Sequence, residues 1–196
     1  IDQVAPGQRF VLAGTSYGGY LARGLVHRRA EMIDGLLLTV PLIRAPENER
    51  TLPPHVTLVE DPVLLASLEP DEREVLLEMA VVQSRELLES IRADIFPAFE
   101  TADHEFLSRL RENYAFSFDV DALTEPFPGP ALFLMGRQDA TCGYRDAWEI
   151  LENYPRGTFV VLDRAGHLLE AEQRDLTHVL VTEWLDRVEE YAETVG

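Results

Sequence analysis

One stretch near the start of the chain constrains the rest. A short apolar run, Phe10 to Ala13, meets a glycine-flanked turn, Gly14-Thr15-Ser16-Tyr17-Gly18. A segment with Tyr20, Leu21, Gly24 and Leu25 at helical spacing follows, and it ends near Arg28 and Arg29. The run reads as a fully buried strand. A strand, a tight turn of the pattern G-x-S-x-G and a helix together form the setting of a nucleophile elbow. The demand is steric. Lifting Ser16 clear of the strand end forces the backbone through a strained turn, and side chains at positions 14 and 18 are expected to collide. The first helical N–H groups, beginning with that of Tyr17, then face the space above Ser16, where they can stabilise an oxyanion.

The same alternation continues downstream. Gly35 to Val40 reads as a second buried strand closed by Pro41, so strand, helix and strand form a parallel crossover unit. A third strand is expected at Ala131–Met135 and a fourth at Thr158–Leu162, with a helix over Asp146–Tyr154 between them and a last helix from Glu170 to about Tyr191. Between the second and third strands the character changes. Pro46, Pro53, Pro54 and Pro62 break the first part into loops. Asp71, with Glu74 three residues on, then predicts the N-terminus of one long amphipathic helix reaching about Ile95. A second helix is expected from Thr101 or Asp103 to Asn113. Residues 41–124 therefore read as a helical cap inserted into an α/β core made of residues 1–40 and 125–196.

Composition limits the partners. Net charge is −18 and all 17 basic residues are arginine, which argues against nucleic acid or an anionic membrane as partner and leaves a small-molecule substrate. Cys142 is the only cysteine, so no intramolecular disulfide and no cysteine-rich zinc site can form. A reducing compartment, the cytoplasm, fits this usage. No run of about 18 apolar residues suggests a transmembrane span.

Two further loops follow strands: Gly136-Arg137-Gln138-Asp139 and Ala165-Gly166-His167. Open parallel sheets gather their sites at the carboxyl ends of the strands, so Ser16, Asp139 and His167 converge on one edge. The residue types suit acyl transfer. A serine hydroxyl needs an imidazole to take its proton, and the imidazole needs a carboxylate to hold its tautomer and stabilise its charged form. Asp163 is the nearest rival acid, but four residues from His167 is too close for easy support. His27, His55, His104 and His178 read as surface or packing residues, and Cys142 as a buried small side chain and not a nucleophile. Nothing in the sequence calls for a metal or a cofactor.

On these three motifs the chain resembles the α/β-hydrolase superfamily, in its members with a helical cap. The resemblance covers nearly the whole chain, and the 28 residues from Asp139 to His167 are similar to the family's usual acid-to-base interval. It implies an α/β fold with a parallel sheet and flanking helices, and a serine hydrolase with Ser16 as nucleophile, Asp139 as acid and His167 as base. Tyr17 would supply one oxyanion-hole N–H. A carboxylesterase, a carbon–carbon bond hydrolase and an aminopeptidase stay open. Epoxide hydrolases and haloalkane dehalogenases fit less well, because they resemble this fold but carry aspartate where Ser16 stands. The four strands correspond to the fifth to eighth of the family's sheet. The absent earlier strands predict either a missing N-terminal segment or a second copy of the chain pairing with the strand at 10–13. The alternative is a degenerate fragment serving as a non-catalytic binding or oligomerising module.

Overall fold

The structure is a computed structural model, and it describes residues 1, 3 and 6–195. Four parallel strands form the sheet in the order β1-β2-β3-β4: β1 (Phe10–Thr15), β2 (Ile33–Thr39), β3 (Ala131–Gly136) and β4 (Gly157–Leu162). The register sets Thr15 beside Thr39 and Gly136 beside Leu162, so the loops that leave the strands rise from one edge. α1 (Tyr17–Arg29) connects β1 to a short 3-10 turn before β2. Between β3 and β4 the helical stretch, Asp146–Asn153, is 3-10 and not α.

β3 is buried on both faces, and its side chains alternate between two cores. Ala131, Phe133 and Met135 face Ala22, Val26 and Tyr154 on one side of the sheet. Leu132 and Leu134 face Trp184 and Val188 on the other. The period of two follows from the pleat. Trp184 Nε1 donates to Pro130 O at 3.1 Å, which satisfies the one polar atom that the indole brings into this core. Gly35 sits under Trp184 and Val188, where a Cβ would fall 2.3 Å from Val188 Cγ2.

β1 departs from the buried strand that its composition predicts. Its residues alternate half-buried and exposed, and Val11 is 45% exposed. Among the described residues β1 pairs only with β2, so its other edge faces outward. An apolar run reports that a strand can be buried, not which place in the sheet it takes.

The segment between β2 and β3 holds five helices: α2 (Pro62–Ala66), α3 (Pro70–Met79), α4 (Arg85–Ser90), α5 (Phe96–Thr101) and α6 (His104–Glu112). The single long helix predicted over 71–95 is therefore two helices with an extended break, and Ala80 has φ −78° and ψ 127°. α3 also starts earlier than predicted. Glu69 and Glu72 form its capping box, with Pro70 at the first turn, in place of Asp71 and Glu74. Ser84 caps α4 by accepting from Leu87 N at 3.1 Å, and Asp103 caps α6 by accepting from Phe106 N at 2.9 Å. A π-turn over Ile91–Ile95 links α4 to α5. The last helix is likewise divided, into α7 (Leu169–Glu172) and α8 (Arg174–Val195).

The two ends of the helical segment are tied to α1 by one side chain. Arg23 is fully buried and donates to Leu42 O and Ile43 O, just after β2, at 2.7 and 2.9 Å. It also forks onto Asp121 at 2.8 and 3.0 Å. Each of the three guanidinium nitrogens has an acceptor, with the Asp121 carboxylate among them, the condition under which a buried charge is tolerated.

Candidate active site

Ser16 stands between β1 and α1 with φ 54° and ψ −121°. A non-glycine residue in this region is strained, and the surroundings hold it there. Ser16 N donates to Thr39 O at 3.0 Å, while Ser16 O accepts from Gly19 N at 3.0 Å and Leu42 N at 2.9 Å. The next strand end is strained as well, with Val40 at φ 40°, and Val40 N donates to Leu134 O at 2.7 Å. Gly14 is required, because a Cβ there would lie 2.4 Å from Gly18 O. Gly18 is not required in the way predicted, since a Cβ on it would meet nothing within 4 Å. The crowding runs from position 14 onto the backbone at 18, and not from a side chain at 18. Tyr17 opens α1, so its N–H has no acceptor within the helix. Its ring stacks on Tyr114 with centroids 4.1 Å apart, and its hydroxyl donates to Tyr114 O at 3.0 Å.

Asp139 is fully buried at the turn after β3. One carboxylate oxygen accepts from Thr141 N at 2.8 Å and Cys142 N at 3.0 Å. The other lies 3.1 Å from His167 Nδ1. His167 Nε2 is in turn 3.0 Å from Ser16 Oγ. A carboxylate only accepts, so Nδ1 carries the proton and Nε2 is free to accept from the serine hydroxyl. Ser16, Asp139 and His167 are thus brought together, from three separate loops at one sheet edge. The two later loops are knitted to each other. Arg137 N donates to Leu162 O and Gln138 N to Ala165 O, and a Cβ on Gly136 would lie 2.4 Å from Gly166 O.

The rivals stand elsewhere. Asp163 accepts from Gln138 Nε2 through its carbonyl and carboxylate, away from the imidazole. His27 tilts against Phe118 at 4.8 Å, His55 lies near Thr57, and His104 and His178 are exposed.

The sequence did not mark Cys142 as a neighbour of Ser16, yet its Sγ lies 3.7 Å from Ser16 Oγ. Burial, with the nearby Asp139 carboxylate, pushes this thiol up to about 12, so it stays protonated and unreactive near neutral pH. Asp139, Cys142 and His167 also form a group with donor atoms within 4.8 Å of one another. Both Asp139 oxygens already accept hydrogen bonds and the thiol resists ionisation, so these donors suit proton transfer better than metal ligation. The sequence places Glu172 only within the final helix. It is instead a partly buried carboxylate that accepts from Gly166 N at 2.6 Å, next to His167. Burial raises its pKa against the opposing pull of its backbone donors and of His55. A carboxylate five residues after a loop histidine carries no periodic signal, so only the tertiary contact reveals it.

Two cavities flank this edge. One of about 360 Å³ is lined by His167, by Thr15 and Thr39 at the strand ends, and by Ser90, Ile91 and Asp94 of the helical segment. A wider one of about 730 Å³, beside Arg50 and Tyr114, touches none of Ser16, Asp139 or His167. Of the three residues the smaller space touches His167 alone, beside Thr15 at the end of β1.

Residues 1–174 match the family described as serine aminopeptidase, S33. No curated protein matches the chain by sequence at a significant level. Among solved structures, an α/β superfamily hydrolase from Oenococcus oeni PSU-1 superposes with a TM-score of 0.84 at 26% identity, over 96% of this chain and 70% of its own. The 2-hydroxy-6-oxo-6-phenylhexa-2,4-dienoate hydrolase from Rhodococcus sp. strain RHA1 gives 0.62 at 22% identity, over 91% and 64%. A thermophilic esterase gives 0.59 at 20% identity, over 95% and 69%. The chain thus spans between 64% and 70% of the length of these three proteins. A family match over residues 1–174, joined to a parallel sheet that superposes on α/β-hydrolases, means that this chain belongs to the serine aminopeptidase S33 family of α/β-hydrolases.

Proposed function

We propose that the protein is a serine hydrolase that cleaves a small ester, amide or similar carbonyl substrate through an acyl-enzyme. Ser16 Oγ attacks the carbonyl carbon while His167 Nε2 takes its proton. Asp139 keeps Nδ1 protonated and stabilises the imidazolium. The tetrahedral oxyanion turns toward the Tyr17 N–H at the start of α1, where backbone donors stabilise developing charge. Collapse expels the leaving group, which receives the proton from His167. Water, deprotonated by His167, then attacks the acyl carbon and releases Ser16. The helical segment at 41–124 acts as the cap over the site, and the substrate occupies the cavity between it and His167. The observation that carries this reading is the continuous chain of contacts, 3.0 Å from Ser16 to His167 and 3.1 Å from His167 to Asp139.

The names of similar proteins support hydrolysis of a carbonyl substrate more than any one substrate. They include a dienoate hydrolase and an esterase. A fluorophosphonate probe tests the mechanism. It should label the wild type, and Ser16→Ala should abolish labelling and lower turnover on the order of 10⁶-fold. Turnover that survives Ser16→Ala unchanged would reject the triad.

We also propose that the outward edge of β1 takes a further strand, from another segment or a second copy of the chain. An unpaired edge carrying an exposed Val11 invites such pairing. Light scattering tests this: a folded 22.1 kDa monomer that never associates would reject it.

A further inference from the structure

The loop that carries His167 belongs to two bodies. On one side it lies on the sheet, with Gln138 N bonded to Ala165 O at 3.0 Å. On the other it enters the hydrophobic cluster of the helical segment. Leu168, the residue after His167, and Ala171 pack against the core formed by Leu64, Leu76, Leu87, Leu88 and Ile91. Gly166 meets the same segment directly, since a Cβ on it would fall 2.8 Å from Val81 Cγ2.

Glu172 stands at this junction and divides its two oxygens between the bodies. Oε1 accepts from Val81 N at 2.6 Å and from Val82 N at 3.3 Å. Oε2 accepts from Gly166 N at 2.6 Å. These bonds coincide with the break in the helix predicted over 71–95. Inside a continuous helix the N–H groups of residues 81 and 82 would be spent on carbonyls four residues back. In the extended break they point at the carboxylate instead. The break is itself well held. Val81 is fully buried, and its carbonyl accepts from Leu58 N at 2.8 Å and Val59 N at 3.2 Å. Gln83 N donates to Val59 O at 2.9 Å.

We propose that Glu172 is a positioning residue that ties the His167 loop to the helical segment, so that the seating of that segment sets the placement of the base. The inference rests on the proposed role of His167. The chemistry requires a carboxylate. Two acceptor oxygens, each facing backbone donors, cannot both be replaced by an amide, which has one acceptor and turns its NH₂ toward the other side. Glu172→Gln therefore keeps shape and loses one of the two links. A cap that closes on a substrate would tighten the base through this clasp, and one held open would loosen it.

The test measures three quantities on Glu172→Gln and the wild type: the rate of fluorophosphonate labelling of Ser16, the thermal midpoint, and amide hydrogen exchange. Labelling of fully folded protein should slow on the order of 10- to 100-fold, the usual consequence of misplacing a reacting group by about an ångström. Amides of residues 79–83 and 164–168 should lose protection together, while those of β3 keep theirs. A variant that melts earlier but labels at the wild-type rate, with at most one of the two segments released, would overturn the proposal. If Glu172→Gln does not fold, Leu168→Ala loosens the same junction from its apolar side and should slow labelling in the same direction. An unchanged rate in that variant would also overturn it. If the wild type itself fails to label, the hydrolase reading falls and exchange alone decides the clasp. Joint release of both segments upholds it, and independent behaviour rejects it.

Discussion

The loops at the carboxyl edge of the sheet and the far end of the helical segment lie in one molecule but are held by different means. Around Ser16, Asp139 and His167 nearly every turn is fixed by backbone bonds, and Asp139 is fully buried. α5 and α6 bury none of their residues, and Phe99 and Phe106 are 61% and 52% exposed. The near end of the same segment, α3 and α4, sides with the site: Leu76 is 0% and Leu87 and Leu88 are each 1% exposed. The helical segment between β2 and β3 is therefore not uniform. Its near half is continuous with the His167 loop, and its far half rests on few contacts, the condition for local opening at low cost.

This contrast can be broken by substitution, beginning with the largest effect. Asp139→Asn should lower turnover by about 10⁴-fold, because the amide can present its NH₂ to Nδ1 and favour the wrong tautomer. Steady-state kinetics check this, and a loss below tenfold would mean that burial of Asp139 serves only the turn. Leu76→Ala removes a fully buried side chain from the near half and should cost about 2–5 kcal/mol in urea unfolding. Phe106→Ala, the same kind of truncation in the far half, should stay within about 0.5 kcal/mol, the usual range for exposed sites. Equal costs at the two positions would erase the distinction between the halves.

Cys142 sharpens the site's side of the comparison through pH. Its folded value is raised from 9.0 to about 12, so the protonated buried thiol contributes stability that is fully present below pH 9. That contribution is lost as pH rises toward about 12. Serine does not ionise in this range, so the stability advantage of the wild type over Cys142→Ser should shrink between pH 9 and about 12. Urea midpoints measured across that range check it. A constant difference would show that the thiol is hydrated and the pocket beside Ser16 open.

Much of this architecture was legible in the residues. The four strands, α1 to its last residue and the edge shared by Ser16, Asp139 and His167 follow from short apolar runs that stop at glycine-flanked turns. Such runs are read locally, because side-chain period and turn chemistry act over a few residues. The break within 71–95 leaves no local signal, because Val75, Leu76, Met79 and Ala80 keep helical spacing right up to it. At the break the N–H of Val81 turns to Glu172, which lies 91 residues away in sequence and is invisible to a local pattern.

What the sequence determined alone was the class of machine: a parallel α/β sheet with a serine, an acid and a histidine on loops that leave its strands. Periodicity and turn sterics suffice for that, since each acts between neighbours in the chain. Only the tertiary structure decided that β1 lies at an edge among the described residues, that Cys142 stands beside Ser16, that Arg23 joins both ends of the helical segment, and that Glu172 joins that segment to the His167 loop. Each of these is a pairing of groups far apart in sequence, and burial and hydrogen-bond satisfaction select such pairs only once the chain has closed on itself.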